Sequence, residues 1–158
     1  MTNYSKQYVL TLLELCDKSL KTEHRIYEML VKQGKVFDNM IEMPLELMQT
    51  GNCFDNAYEY ATKHNLKYCE GYAFDGMPKE HAWCIKRGKV VVDPTWGLAG
   101  SDYFGYSIDL DSVQRLRMAT GIPGVFSHPW ETILKHVRLE KRWAKPVKLN
   151  PMDFRRAS

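Results

Sequence analysis

The sequence predicts an α+β fold in which helices precede and follow an antiparallel β-sheet. Apolar residues recur at helical spacing towards both ends of the 158-residue chain, whereas the middle contains a series of extended stretches. Two of these stretches are separated only by Arg87-Gly88, a spacing that favours an antiparallel hairpin. The chain contains no repeat, low-complexity tract or linker, so residues 1–158 are expected to form a single domain.

The N-terminal region, residues 1–48, is predicted to be helical. Its first helix carries an apolar stripe that includes Cys16, which is therefore expected to be an inert core residue. Thr22 is a candidate N-cap for a second helix that ends near Gly34. Residues 35–50 combine extended and turn signals and are assigned to no element.

The central region, residues 49–108, is predicted to contain one helix and the sheet. Asn52 is a good N-cap, Asp55 lies in the first turn, and the helix runs to about Asn65. The extended stretches follow at residues 66–74, 81–87, 89–94 and 103–108.

The C-terminal region, residues 109–158, is predicted to be helical and to end in a basic tail. A short helix ends near Thr120, and a last helix starts at Pro129 and ends before Pro146. The net charge of +3 is uneven, because residues 128–158 carry eight Lys or Arg against three acidic residues, which leaves −2 for the rest. The tail can attract an anionic partner, or it can be a solvated helix face. Its basic residues are Lys135, Arg138, Lys141, Arg142, Lys145, Lys148, Arg155 and Arg156.

Composition and cysteine usage predict a cytoplasmic protein without a membrane partner. Residues 1–21 contain no uncharged apolar run typical of a signal peptide, and nowhere do about 18 apolar residues occur in succession. The four cysteines, at positions 16, 53, 69 and 84, are too few and too irregularly spaced for a disulfide framework. They are expected to be free thiols.

Cys53 is the predicted nucleophile. It occupies the first position of the central helix, where unpaired N–H groups and the helix dipole favour a thiolate over a thiol. The polar Gly51-Asn52 lead-in argues against burial of this cysteine. Cys69 and Cys84 lie within strand patterns and are expected to be structural.

His81 and Asp93 are the predicted base and orienting carboxylate. Strand alternation puts His81 on one face together with Trp83 and Ile85, and the hairpin register sets it opposite residues 93–95. Asp93 can therefore reach the imidazole ring, as a Cys-His-Asp triad requires. The alternative is that Asp93 caps the turn that follows it.

An acyl-transfer site also needs hydrogen-bond donors for an oxyanion. The backbone N–H of Cys53 is one candidate, and the side-chain amides of Gln49 and Asn52 are auxiliary candidates. Asn52 is equally explained as an N-cap, and Gln49 as an exposed loop residue. A zinc site built from Cys53, Cys69, His81 and Cys84 is a further alternative, but these residues lack a Cys-x-x-Cys pair. No metal or cofactor is predicted.

Four short motifs within residues 49–106 resemble the transglutaminase-like branch of the papain-like superfamily of cysteine peptidases and acyltransferases. They are Gly51-Asn52-Cys53-Phe54, Glu70-Gly71-Tyr72, Glu80-His81-Ala82-Trp83 and Val92-Asp93-Pro94-Thr95-Trp96. The resemblance implies a transglutaminase-like core, in which a nucleophile helix packs on a small antiparallel sheet. The helices predicted at both ends lie outside the resemblance. It implies Cys53, His81 and Asp93 as the triad, and it makes the motif aromatics candidates for the substrate cleft. These aromatics are Tyr72, Trp83 and Trp96.

The function expected from these residues is that of a cysteine hydrolase or acyltransferase. Cys53 would form a thioester that water or an amine resolves, most plausibly from a peptide, isopeptide or small amide substrate. The alternative is a non-catalytic binding or inhibitory protein on the same fold, whose basic C-terminus engages an anionic partner.

Overall fold

The computed structural model describes residues 2–17, 19–37 and 40–139, and within these ranges the chain forms five α-helices and six β-strands. Helices lie at both ends and most of the sheet lies between them, which confirms the predicted α+β class. The elements are α1 (Tyr4–Leu15), α2 (Lys21–Gln33), β1 (Lys35–Phe37), β2 (Ile41–Glu42), α3 (Cys53–His64), β3 (Lys67–Phe74), β4 (Pro78–Lys86), β5 (Val90–Val92), β6 (Asp102–Ile108), α4 (Leu110–Thr120) and α5 (Trp130–His136), with a single 3₁₀ turn at Val125–Ser127.

The strands form one sheet in the order β1-β6-β3-β4-β5-β2. Every neighbouring pair is antiparallel except β2 and β5, which run parallel, so the prediction of a wholly antiparallel sheet is wrong at this edge. The prediction that residues 1–48 are helical is also incomplete, because this region supplies both outer strands. Strands of two and three residues are too short to show the alternation that identifies a strand in sequence.

The predicted hairpin between β4 and β5 is present and turns at Arg87 and Gly88. Their φ angles are 53° and 75°, and positive φ at both central residues is what a type I′ turn requires. The register pairs Lys86 with Val90 and Cys84 with Val92. This tight turn fixes which residues of β4 and β5 lie opposite each other, and thereby where His81 lies relative to the end of β5.

The helix caps differ in detail from the predictions. The N-cap of α1 is Asn3, whose Oδ1 accepts a hydrogen bond from the Lys6 amide at 2.8 Å. Thr22 lies inside α2, and its hydroxyl accepts a hydrogen bond from the Trp130 amide instead of capping the helix. Cys16 ends α1 at a partly exposed position, so the prediction that it is a core residue is wrong.

The two C-terminal helices end within the predicted limits, with α4 ending at Thr120. The Asp109 side chain caps α4, and α5 ends at His136, since Val137 already has an extended backbone. Six basic residues of the predicted tail lie outside the described residues, so a tail that binds an anionic partner stays a prediction. They are Lys141, Arg142, Lys145, Lys148, Arg155 and Arg156.

The helices pack against one face of the sheet, and a smaller apolar cluster covers the other. On the helix-facing side, one apolar core contains buried residues of all five helices together with the sheet residues Tyr68, Tyr72 and Cys84. The opposite face carries Trp83 and Tyr103, among others. The alternation of β4 therefore follows the prediction. Among the described residues, none of the helices combines the length and hydrophobicity needed to cross a bilayer.

Candidate active site

Cys53 is the first residue of α3 and is partly exposed. Asn52 occupies the N-cap position, as predicted, but its side chain makes no capping hydrogen bond to the helix. Asp55 lies in the first turn, where a carboxylate interacts favourably with the helix dipole. Cys53 therefore lies at a helix N-terminus, where backbone N–H groups without an intrahelical partner are available as hydrogen-bond donors.

Two contacts tie the segment before Cys53 to the turn after Asp93. The Asn56 side-chain amide donates to the Gln49 carbonyl at 2.7 Å and to the Thr95 hydroxyl at 3.0 Å. The Met48 amide donates to the Pro94 carbonyl at 2.8 Å. The sequence analysis missed Asn56, whose place in the third position after Cys53 was its only signal. These bonds hold the start of α3 against the end of β5.

His81 lies on β4 beyond the last residue that β5 pairs, and it is buried. Its Nε2 is 2.8 Å from Asp93 Oδ2, the contact that the hairpin register predicted. Its ring stacks on Trp96 with centroids 3.8 Å apart and an interplanar angle of 17°. Because Nε2 is held by the carboxylate, Nδ1 is the nitrogen left to interact with Cys53, which is near enough to influence the pKa of the ring.

The surroundings of His81 favour its protonated form. Burial disfavours the charged ring, but hydrogen bonds to Asp93 and Cys53, together with their negative charges, raise its pKa from 6.5 to about 9. The direction of this shift favours an imidazolium beside the start of α3. A neighbouring imidazolium stabilises negative charge on a cysteine sulfur, as in other activated thiols.

Asp93 is completely buried and uses both of its oxygens. Oδ1 accepts the backbone N–H groups of Thr95 and Trp96 at 2.9 and 3.0 Å. Oδ2 accepts hydrogen bonds from His81 and from the Tyr103 hydroxyl, the latter at 2.9 Å. The two sequence interpretations are thus compatible, because one oxygen caps the turn while the other holds the imidazole. Tyr103 is a site residue that the sequence analysis missed.

The three aromatic candidates for a substrate cleft have different environments. Trp83 is fully buried in the core beside Tyr103, so its ring cannot line a cleft. Trp96 is partly buried and covers His81, with Lys79 Nζ 5.7 Å from its ring centroid. Tyr72 lies on the helix-facing side of the sheet, with its hydroxyl 3.3 Å from Glu80 Oε1. The alternation of side chains along β4 correctly placed Trp83 on the same face of the sheet as His81. It could not show that other apolar residues cover the sheet at Trp83.

A cavity on the helix-facing side adjoins the motif residues. It is small, with a volume of about 40 Å³, and it is partly open to solvent. It includes Phe54, which follows Cys53, and Glu80, which precedes His81. Tyr72 forms part of its wall, so this motif aromatic does line a cavity.

Glu70 fixes one wall of this cavity. Its buried carboxylate accepts hydrogen bonds from the Tyr68 hydroxyl at 2.6 Å and from the amides of Val125 and Phe126 at 3.0 and 2.9 Å. The 3₁₀ turn is thereby attached to β3, which places the Phe126 ring in the cavity wall. Burial raises the pKa of Glu70 from 4.5 to about 7, against the opposing effect of these three donors.

The remaining candidates are Gln49, Asn52 and the other cysteines. Gln49 and Asn52 are both exposed at the start of α3. Cys69 and Cys84 are buried on opposite faces of the sheet, and burial raises the pKa of both thiols. Among the described residues, no three His, Cys, Asp or Glu side chains are grouped so that they could hold a metal ion.

Comparison of the chain with models of protein families, with curated proteins and with solved structures gives no match.

Proposed function

We propose that this chain is a transglutaminase-like cysteine hydrolase or acyltransferase, with Cys53 as nucleophile, His81 as base and Asp93 as orienting carboxylate. The observation that carries the proposal is the position of His81. Its buried ring is hydrogen-bonded to Asp93 through Nε2, and Cys53, at a helix N-terminus, is near enough to help raise the pKa of the ring. A nucleophile, a base and a group that orients the base define a triad by their geometry.

The order of elements supports a transglutaminase-like core. A helix that begins with the cysteine is followed by the antiparallel strands β3 and β4, and the histidine lies on β4. The carboxylate follows β5, the hairpin partner of β4. The helices α1, α2, α4 and α5 lie outside these elements, at both ends of the described chain.

In the first half of the reaction the Cys53 thiolate attacks the carbonyl carbon of an amide, and the carbonyl electron pair moves to oxygen. The Cys53 N–H, free at the helix start, can donate to this oxyanion, and Asn52 or Gln49 can add a side-chain amide. The C–N bond then breaks as the proton on His81 Nδ1 passes to the leaving nitrogen. The products are a thioester on Cys53 and a free amine.

In the second half, water or an amine gives a proton to His81 Nδ1 and attacks the thioester. The C–S bond breaks, the acyl group leaves as an acid or as a new amide, and the thiolate–imidazolium pair is restored. Throughout the cycle, Asp93 keeps Nε2 protonated and Nδ1 directed at sulfur. We assign the substrate to the peptide, isopeptide and small amide class, with its flanking group next to Trp96 or in the cavity beside Phe54.

Labelling with acyl probes tests this function. A panel of activated esters and amides that leave their acyl group on sulfur is incubated with the protein, and the modified residue is identified by mass spectrometry. We expect an acyl adduct on Cys53 that disappears when water or an amine is allowed time to react. Cys53→Ala should abolish the adduct, whereas Cys16→Ala should leave it unchanged. An adduct on another cysteine, or none with any probe, would refute the proposal.

A further inference from the structure

Asp93 shares one oxygen between two side chains, and only one of these belongs to the triad. Oδ2 is 2.8 Å from His81 Nε2 and 2.9 Å from the Tyr103 hydroxyl. An ionised carboxylate has no proton to donate, so the phenol must donate to it. The Tyr103 hydroxyl and the imidazole N–H therefore compete for the electron density of the same atom.

Small residues next to Tyr103 leave space for its side chain and hydroxyl. Tyr103 lies on β6, which β3 and β4 separate from β5, so the side chain reaches across the sheet to Asp93. The residue beside it on β3 is the small Ala73. A Cβ atom at Gly100 would collide with the hydroxyl of Tyr103. A phenylalanine would fill the core beside Trp83 equally well, so packing alone does not explain the hydroxyl.

We propose that Tyr103 is a positioning residue, which fixes Asp93 and moderates the strength with which Asp93 holds the proton of His81. This inference rests on the proposed function, because moderating His81 matters only if His81 exchanges protons with Cys53 and substrate. A buried carboxylate without this donor would concentrate its charge on Nε2 and make the imidazole more basic. When the imidazole is more basic, its protonated form is a weaker acid and gives its proton less readily to the leaving nitrogen.

The other ionisable groups around His81 belong to different elements. Cys53 lies at the start of α3, Asp93 follows β5, and Lys79 lies on β4 near the Trp96 ring. Removal of the Tyr103 hydroxyl deletes none of these three groups. A change in the titration of His81 after this removal therefore reports the hydrogen bond to Asp93.

The test is an NMR titration of histidine-labelled protein between about pH 6 and pH 10.5, as wild type and as Tyr103→Phe. We expect the titration midpoint of His81 to rise by about half a unit to one unit in the variant, the range in which one hydrogen bond to a charged group acts. Tyr60→Phe is the matched control. Tyr60 is also buried and also forms one hydrogen bond through its hydroxyl, at 2.9 Å from the Leu45 amide, without touching the triad.

A merely structural role for Tyr103 would lower the thermal stability of both variants and leave the midpoint of His81 unchanged, which would overturn the inference. If Tyr103→Phe does not fold, 3-fluorotyrosine at position 103 keeps the ring and provides a more acidic hydroxyl. The midpoint should then fall, and an unchanged midpoint would refute the inference. A different measurement detects failure of the proposed function. In that case the rate of Cys53 alkylation would be the same in wild type and in His81→Ala.

Discussion

Replacement of Glu70 by glutamine should remove a large part of the pH dependence of stability. Because burial raises its pKa from 4.5 to about 7, the folded protein binds a proton at this site more tightly than the unfolded chain does. The contribution of Glu70 to the free energy of unfolding is therefore fully present below about pH 4.5. It is lost as the pH rises to about 7. The difference between the pKa of Glu70 in the unfolded chain and in the folded protein corresponds to about 3 kcal/mol of unfolding free energy.

The assay is urea-induced unfolding of wild type and Glu70→Gln at about pH 5 and pH 8. The glutamine resembles the protonated carboxyl, so the free energy of unfolding of the variant should change between the two pH values by about 2.5 kcal/mol less than that of wild type. Glu46→Gln is the matched control. Glu46 is an exposed carboxylate paired with Lys63, and its replacement should leave the wild-type pH dependence nearly intact.

Equal pH dependence in wild type and Glu70→Gln would refute this reasoning. It would mean that the three donors, rather than burial, determine the protonation of Glu70. The 3₁₀ turn would then be held by an ionised carboxylate over the whole range tested.

Two further predictions concern the triad and the basic tail. Asp93→Asn should keep the fold but leave His81 in the wrong tautomer, which should reduce turnover of any acyl probe by up to about 10⁴-fold; near-normal turnover would show that Asp93 acts only as a turn cap. Charge reversal at Arg138, Lys141 and Arg142 should weaken binding to an anionic polymer without changing the reactivity of Cys53, and wild-type binding should fall steeply with salt. Binding that is insensitive to both salt and charge reversal would identify the tail as a solvated surface.

The parts of the site that follow from local pattern could be predicted from sequence. The turn at Arg87-Gly88 sets the register of β4 and β5, and this register is sufficient to bring Asp93 to His81. The place of Cys53 at a helix start likewise follows from the polar lead-in and the apolar periodicity after it. Both inferences use residues close together in the chain, where geometry leaves few alternatives.

Contacts that depend on strand order could not be predicted. Tyr103 is only ten residues from Asp93 in sequence, yet its contact requires β6 to pair with β3 instead of β5. The bond from Asn56 to Thr95 depends on how α3 packs against the turn after β5. Burial of Trp83 depends on what covers its face of the sheet. Periodicity identifies faces and elements, but it does not identify their neighbours.

The most direct test of the account compares two partly exposed thiols within the same chain. Cys16 provides the reference, because burial and the charges of Glu23 and Asp17 raise the pKa of its thiol and so disfavour the thiolate at neutral pH. With limiting iodoacetamide at pH 7, the account predicts that Cys53 is labelled first, at least tenfold faster than Cys16, and that His81→Ala removes most of this advantage. Faster labelling of Cys16, Cys69 or Cys84, or an unchanged rate at Cys53 in the His81 variant, would contradict the assignment of Cys53 as an activated nucleophile.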